Sequence, residues 1–366
     1  MTRTYIFFLL LMISVNKGFS QFKARQLDTL MQTFFNQHQF NGAVLVAEKG
    51  AVIYKKGWGL ANMEWKIPNT PGTRFRIGSV TKPFTALLVM QLVEKGAIQL
   101  NAPFVSYLPQ YPSKNGERIT IHHLLTHSSG IPDYANFSTY ENFCRDAFSK
   151  NDFVKIFADS SLEFQPGERF SYSNSNYFLL GMILENITGK TYQQLLQEKI
   201  LSPLNMINTG YDEPETILHN RAAGYEKKEK EYMHAPYLNI NIPYAAGAMY
   251  STVEDLFLWE QALRTNRLLK KETMEQVFEK HIPSFAHFHY GYGWLTGKQP
   301  IGHTNDSIPV IFHSGDINGF TSLFMRLPSS NSLIVLINNT GGAPLFDISN
   351  GIIAILNNKP YSLPKE

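Results

Sequence analysis

The sequence predicts an α/β (α+β) fold in which one antiparallel sheet is built from both termini, flanked by helices, with a helical lobe inserted between them. Short apolar runs separated by turn residues stand near the N-terminus and return after residue 300, while helical periodicity dominates roughly residues 80 to 280. Strands at the two ends become neighbours when the chain returns after the helical block. The boundary between two such lobes is a natural place for a cleft.

The individual elements follow from the spacing of apolar residues. Residues 26–39 have the pattern of an amphipathic helix, and the runs 42–47 and 51–54, separated by Glu48-Lys49-Gly50, have that of a β-hairpin. Further helices are expected at 80–94, 176–187, 192–201, 252–265 and 347–356, and further strands at 309–312, 321–325 and 332–337. We predict a sheet lobe of about 21–80 and 285–366, and a helical lobe of about 81–284.

The first twenty residues have the pattern of a cleavable secretory signal peptide. Arg3 precedes an unbroken apolar run at 5–15, and small residues follow up to Ser20. The run is shorter than the ~20 apolar residues that a membrane helix needs, so no stable membrane insertion is expected after cleavage. We expect residues 21–366 to form one secreted domain, periplasmic or extracellular.

Composition argues against nucleic-acid binding and against an internal disulfide. Removal of Arg3 and Lys17 with the signal reduces 33 basic residues to 31 against 30 acidic ones, so the net charge falls from +3 to +1. Nucleic-acid binding requires clustered positive charge, and none is expected here. The one cysteine, Cys144, cannot form an internal disulfide, so stability must come from the hydrophobic core.

The first candidate for catalytic chemistry is the segment Ser79-Val80-Thr81-Lys82. The Ser-x-x-Lys pattern occurs four times, but only Ser79 stands directly before an apolar helical run. A three-residue spacing there puts Ser79 and Lys82 on the same helix face. A serine hydroxyl needs a neighbouring base to become a nucleophile, and burial can lower the pKa of a lysine enough for that role. The alternative is a helix-capping serine followed by a solvated lysine.

Two later segments carry further candidate site residues. Tyr172 and Asn174 follow the turn at 165–167 and could both point into one cleft, where a phenol can shuttle a proton and an amide can bind a lysine or a carbonyl. His313-Ser314-Gly315-Asp316 follows an apolar run, and its glycine allows close approach of a substrate to the strand. Turn chemistry and a structural histidine are the alternatives.

Taken together, these motifs resemble the serine β-lactamase and penicillin-recognising hydrolase superfamily, in its class C branch with the related DD-peptidases and esterases. They occur in the family's order, and the similarity extends from about Gly42 to Thr340. The segments that carry it are FRIGSVTKPF at 75–84, LLTHSSGIPD at 124–133, PGERFSYSN at 166–174, LGMIL at 180–184 and AGAMYST at 246–252. The resemblance implies a β-lactamase/transpeptidase-like fold.

The resemblance also implies a role for each motif residue. Ser79 is expected to attack a carbonyl carbon and become acylated, while Lys82 and Tyr172 share the general acid and base roles. Asn174 is expected to orient Lys82 and the substrate amide. The backbone N–H groups of Ser79 and Asp316 are expected to form the oxyanion hole. The substrate-binding and oxyanion residues are then His313, Ser314, Gly315 and Asp316.

One departure from the family pattern narrows the expected function. Class C β-lactamases carry Lys-Thr-Gly as the third motif, and their lysine supplies a fixed charge, whereas this chain has His313-Ser314-Gly315. Histidine is only partly charged near neutral pH, and it occurs there in some DD-peptidases and D-amino-acid peptidases of the branch. We therefore expect cleavage of D-amino-acid peptides or small esters. A true β-lactamase and a weakly catalytic penicillin-binding sensor or scaffold are the alternatives.

Other catalytic classes have less support in the sequence. No Gly-x-Ser-x-Gly segment exists for an α/β-hydrolase nucleophile. His122, His123 and His127 could suggest a metal site, but no His-Glu-x-x-His is present and the segment matches a stretch of the family that binds no metal. His287 and His289 fit exposed or cleft-lining positions better than metal ligation. We expect a small-molecule or peptide substrate, and we expect no cofactor, metal or nucleic-acid partner. The sequence pattern does not indicate how many subunits the protein has.

Overall fold

A computed structural model describes residues 21–112, 114–228 and 231–364. The signal peptide expected at 1–20 lies outside these described residues. Within them, the dominant feature is an eight-stranded antiparallel sheet with helices on both faces, which confirms the predicted fold class. None of the described helices is long and apolar enough to cross a membrane.

The helices are α1 (21–36), α2 (Thr81–Glu94), α3 (Ile121–Leu125), α4 (Tyr140–Phe143), α5 (Lys150–Ala158), α6 (Asn174–Thr188), α7 (Tyr192–Leu196), α8 (Ser202–Leu204), α9 (Tyr244–Gly247), α10 (Val253–Leu263), α11 (Lys271–Phe278) and α12 (Leu345–Leu356). The strands are β1 (Gly42–Glu48), β2 (Ala51–Trp58), β3 (Leu60–Asn62), β4 (Ile67–Pro68), β5 (Phe75–Arg76), β6 (Gly210–Tyr211), β7 (Tyr225–Lys228), β8 (Glu231–His234), β9 (Met249–Ser251), β10 (Ile282–Pro283), β11 (His289–Tyr290), β12 (Leu295–Pro300), β13 (Ser307–Ile317), β14 (Phe320–Leu327) and β15 (Ser332–Asn338).

The large sheet joins the two ends of the chain. Its strand order is β10-β11-β12-β13-β14-β15-β1-β2, so the N-terminal hairpin adds directly to the C-terminal strands. β1 pairs with β15 in antiparallel register, with Gly42 opposite Asn338. The predicted hairpin and the three predicted C-terminal strands are therefore neighbours in one sheet.

Two hydrophobic layers cover the faces of this sheet. Along β1, Val44 and Val46 belong to the cluster that contains α1 and α12, whereas Ala43 and Leu45 belong to the cluster that contains α2, α6 and α10. Successive strand residues point to opposite faces, so a strand covered on both sides is apolar throughout rather than alternating. Helices on the second face bring the site residues against the sheet.

Several elements differ in detail from the sequence prediction. The expected helix at 192–201 begins as α7 and continues as a π-turn at Gln197–Leu201. α6 begins at Asn174, two residues earlier than expected, because Asn174 N–H bonds the Asp133 carboxylate in place of a helical acceptor. No strand was predicted at 211–241, which contains the hairpin of β7 and β8.

Candidate active site

The nucleophile candidate Ser79 lies in a 3-10 turn, Gly78–Val80, between β5 and α2. Gly78 has a φ of +50°, and a Cβ added there would lie 3.0 Å from both N and O of Asp316. A Cβ added at Gly315 would lie 2.0 Å from Ile77 O. Two glycines thus let the turn that carries Ser79 touch the strand that carries the third motif.

Lys82 is fully buried in the first turn of α2, beside Ser79. Its Nζ lies 3.0 Å from Ser79 Oγ, and it donates hydrogen bonds to Asn174 Oδ1 at 2.7 Å and to Ala246 O at 2.9 Å. Burial lowers the pKa of Lys82 to about 7, although the charge of Asp133 acts in the opposite direction. A neutral amine has two hydrogens and one lone pair. Because Asn174 Oδ1 and Ala246 O can only accept, the lone pair faces Ser79.

The orientation of the Asn174 amide is determined by Asp133. Asn174 Nδ2 donates to Asp133 Oδ2 at 3.0 Å, and the backbone N–H of Asn174 donates to Asp133 Oδ1 at 3.1 Å. A carboxylate only accepts, so the amide nitrogen must face Asp133 and the amide oxygen must face Lys82. Burial raises the pKa of Asp133, while hydrogen bonds and the charge of Lys82 oppose the shift. Asp133 therefore acts on Lys82 through Asn174 and without a direct contact.

Tyr172 contacts both Ser79 and Lys82. Burial raises the pKa of Tyr172 above its ordinary value, and a side-chain hydrogen bond with Ser79 opposes that shift. Lys82 Nζ lies 4.7 Å from the centre of the Tyr172 ring, a cation–π distance when the amine is charged. The Tyr172 ring also packs on the His127 ring, with centroids 4.3 Å apart. A phenol held here can exchange a proton with Ser79 or with a leaving group.

The third-motif histidine is buried and uncharged. Burial, followed by the charge of Lys82, lowers the pKa of His313 to about 3. Its Nδ1 lies 2.6 Å from Ser314 O and its Nε2 lies 3.0 Å from the hydroxyl of Tyr290. The partial charge near neutral pH expected for this histidine is therefore wrong, because the site removes the imidazole from water. His313 cannot substitute for the lysine of the Lys-Thr-Gly motif as a cation.

The backbone around the third motif is open on one edge. β12 pairs with β13 only as far as Phe312, whereas β14 pairs with it as far as Ile317. Within the described residues, 313–317 thus have a strand partner on one side only. The expected oxyanion donors, the N–H groups of Ser79 and Asp316, belong to the two segments that meet at Gly78. An extended substrate can lie along this edge with its carbonyl at that meeting point.

Two cavities lie beside the turn between β13 and β14. One of about 460 Å³ is lined by Asp316, Asn318 and the chain at 340–344. The other, of about 430 Å³, is lined by Asn318, Phe320 and the two arginines Arg76 and Arg221. Both guanidinium groups bond Oδ2 of the buried Asp212, at 2.6 and 2.8 Å. The cavities share Asn318 and have the size range of small-molecule sites.

The structure brings the eight predicted site residues into one region. Lys82 contacts Ser79, Asn174 and Tyr172, and Tyr172 also contacts Ser79. The strand at 313–316 packs on the turn of Ser79. The sequence did not single out Asp133, the Ala246 carbonyl, or Tyr290. Asp133 stood at the end of the segment LLTHSSGIPD, which was the available signal for it.

The three histidines at 122, 123 and 127 do not converge on a metal. His122 Nδ1 lies 2.9 Å from the hydroxyl of Tyr292, and His123 Nδ1 accepts from Thr120 N–H in a helix cap. His127 instead faces Tyr290. In the part of the chain that the structure describes, no group of three or more His, Cys, Asp or Glu could hold a metal ion.

Comparison with known proteins agrees with this arrangement. A family model described as Beta-lactamase matches residues 26–357. Penicillin-binding protein 4* of Bacillus subtilis (strain 168) is 30% identical over 368 residues, which cover 94% of this chain and 78% of that protein. The penicillin binding protein from Bacillus halodurans superposes with a TM-score of 0.77 at 27% identity over 91% of this chain and 98% of that one. A D-stereospecific amidohydrolase from Streptomyces sp. superposes with a TM-score of 0.71 at 25% identity, over 87% and 94%.

Proposed function

We propose that this chain, which belongs to the β-lactamase family, is a serine hydrolase that cleaves an amide or ester bond through an acyl-enzyme on Ser79. One observation carries the proposal. Lys82 is buried, and both of its neighbours other than Ser79 can only accept hydrogen bonds, so its lone pair is directed at the Ser79 hydroxyl. A lysine with a pKa of about 7 is a competent base at neutral pH.

The contacts support a two-step reaction. Lys82 takes the proton of Ser79 as Oγ bonds to the substrate carbonyl carbon, and the oxyanion that forms faces the N–H groups of Ser79 and Asp316. Collapse breaks the bond to the leaving amine or alcohol, which receives a proton from Lys82 through Tyr172. Water then attacks the carbonyl carbon of acyl-Ser79 and passes one proton to the same pair of groups. The bond between that carbon and Ser79 Oγ breaks, Oγ takes the proton back, and the acid leaves.

The substrate class we propose is a peptide or amide of a D-amino acid, or a small ester. The open edge at 313–317 suits an extended substrate, and the D-stereospecific amidohydrolase from Streptomyces sp. shares the fold. A neutral His313 lacks the fixed charge that class C β-lactamases place beside the substrate carboxylate. These features favour amides and esters over β-lactams as substrates. We also propose that the protein is secreted and acts in the periplasm or outside the cell.

Intact-protein mass spectrometry tests this proposal. The purified protein is incubated with a fluorophosphonate and, separately, with a penicillin, and each sample is compared with Ser79→Ala. Ser171→Ala is the matched control, because its hydroxyl lies near the second motif but bonds Glu163 outside the site. We expect one fluorophosphonate adduct in the wild type and in Ser171→Ala, and none in Ser79→Ala, together with loss of all turnover.

The reagents separate the possible specificities. Adducts with both reagents would point to a penicillin-recognising D-alanyl peptidase, and rapid release of hydrolysed penicillin would point to a β-lactamase. An adduct with the fluorophosphonate alone would point to an amidase or esterase. The absence of both adducts would contradict the proposed mechanism and favour a non-catalytic binding protein or scaffold. Hydrolysis that survives in Ser79→Ala would also contradict it, because the nucleophile would then be another residue.

A further inference from the structure

Beneath Tyr172 lies a buried hydrogen-bonded chain of three side chains that the mechanism above does not use. The hydroxyl of Tyr290 lies 3.2 Å from His127 Nε2 and 3.0 Å from His313 Nε2. Tyr290 and His127 are fully buried and His313 is 2% exposed. His127 lies just after α3, Tyr290 lies in β11 and His313 lies in β13. Their contacts therefore join segments that are far apart in sequence.

Backbone groups at the two ends of this chain determine where its protons lie. At one end the N–H of Ser173 donates to His127 Nδ1 at 3.1 Å, so that nitrogen must be unprotonated and the hydrogen must lie on Nε2. At the other end Ser314 O can only accept, so His313 Nδ1, at 2.6 Å, must carry its hydrogen and Nε2 must be free. Each end therefore specifies one tautomer of a neutral imidazole.

The Tyr177 hydroxyl also lies within hydrogen-bonding reach of Tyr290, but it gives its own hydrogen to Leu125 O and so offers Tyr290 only an acceptor that competes with His313 Nε2. The hydroxyl of Tyr290 can bond both rings in one way only. It accepts from His127 Nε2–H and donates its own hydrogen to His313 Nε2. All hydrogen bonds point in the same direction, from Ser173 N–H to Ser314 O, and no nitrogen of either ring is left unpaired. The titratable groups that face this chain are Lys82, Tyr172 and Tyr177. A positive charge on either imidazole would add repulsion from Lys82 and would require a second donor to face Tyr290.

We propose that His127 and Tyr290 are positioning residues which, through this neutral hydrogen-bonded chain, hold His313 and Tyr172 in their reactive orientations. His127 acts on Tyr172 by ring packing, at 4.3 Å between centroids, and Tyr290 acts on His313 by its hydrogen bond. These contacts link the segment that carries Tyr172 and Asn174 to the segment at 313–316. The effect on Tyr172 rests on the proposed function, whereas the protonation pattern does not.

Nitrogen NMR of the full-length protein with labelled histidines tests the protonation pattern directly. Between pH 5 and 8 we expect His127 to be neutral with its hydrogen on Nε2, and His313 to be neutral with its hydrogen on Nδ1. Signals are assigned with His127→Gln and His313→Gln. A charged His313 at pH 7, or a hydrogen on His313 Nε2, would overturn the proposal, and this measurement stands even if Ser79 is never acylated.

Acylation kinetics test the positioning role with a matched pair of variants. Tyr290→Phe removes the central hydroxyl, whereas Tyr292→Phe removes a hydroxyl that bonds His122 outside the chain. We expect Tyr290→Phe to slow acylation of Ser79 by a fluorophosphonate at least tenfold and to mix the tautomers of His313, because misplacement of reacting groups lowers rates steeply. Tyr292→Phe is expected to remain within about twofold of wild type. Equal rates in the two variants would overturn the positioning role, and if Tyr290→Phe does not fold, the wild-type tautomers decide.

Discussion

The two halves of the active site are similarly buried but differ in whether they can change charge near neutral pH. In the half formed by Lys82, Asn174 and Asp133, an amine with a pKa of about 7 lies one amide away from a carboxylate. In the half formed by His127, Tyr290 and His313, burial and the charge of Lys82 lower the pKa of both imidazoles. This hydrogen-bonded series of side chains is therefore neutral.

The difference shows that burial alone does not decide the role of a titratable group. Burial lowers the pKa of the lysine and of both histidines, but the lysine starts from a much higher ordinary value. The same direction of shift brings Lys82 to neutral pH and carries His313 far below it. We therefore expect proton transfer in the first half and positioning in the second.

The largest effect is expected when the groups that transfer protons are removed. We expect Lys82→Ala and Tyr172→Phe each to lower the acylation rate at least ~10²-fold, which is typical of general acid and base groups. Stopped-flow acylation of Ser79 measures the effect. Lys150→Ala, which removes a half-buried ion pair with Glu185, is the control and is expected to acylate normally. A near-normal rate in either site variant would remove that residue from proton transfer.

A smaller effect is expected from Asp133→Asn. The variant loses the acceptor that orients Asn174, so we expect the maximal acylation rate to fall roughly tenfold, in line with loss of alignment. It also removes the negative charge that raises the pKa of Lys82, so the midpoint of the pH–rate curve should move to lower pH. The exposed Asp152→Asn is the matched control, because the Asp152 carboxylate contacts only Lys155 and Ser149, both outside the site. A shift to higher pH would contradict the coupling through Asn174.

The pH dependence of the acylation rate in the wild type tests the same difference between the two halves of the site without a substitution. The base must be neutral, so acylation should rise with pH through about 7, where Lys82 loses its proton, and then level off. We expect no second step in the pH–rate curve between pH 5 and 8. Burial lowers the pKa of His313 to about 3 and lowers the pKa of His127 well below its ordinary value. A midpoint near the ordinary pKa of lysine would show that Lys82 is solvated in solution.

The catalytic motifs could be predicted from sequence because each is local. Ser79 and Lys82 are three residues apart, Tyr172 and Asn174 are two apart, and the third motif is one short segment at 313–316. Helix and strand periodicity then places such segments on defined faces. The fold class was equally accessible, since apolar runs at both ends of the chain signal one shared sheet.

The supporting contacts could not be predicted because they join distant segments. Ala246 O meets Lys82 across 164 residues, and Asp133 meets Asn174 across 41. His127 was weighed as a possible metal ligand and lies in the segment LLTHSSGIPD, but nothing near it in sequence indicates Tyr290. The neutrality of His313 depends equally on tertiary burial, which residue type alone does not indicate.

The order of strands in the large sheet also governs when the molecule can be completed during synthesis. Among the strands of this sheet, β1 and β2 are made first, yet β15, the neighbour of β1, is made after all the others. Until then the hairpin presents an unpaired apolar edge, which is the kind of surface that promotes aggregation. Closure of so long a chain segment also slows folding. The site depends on contacts between the turn that carries Ser79 and β13, so it can assemble only after β13 has left the ribosome.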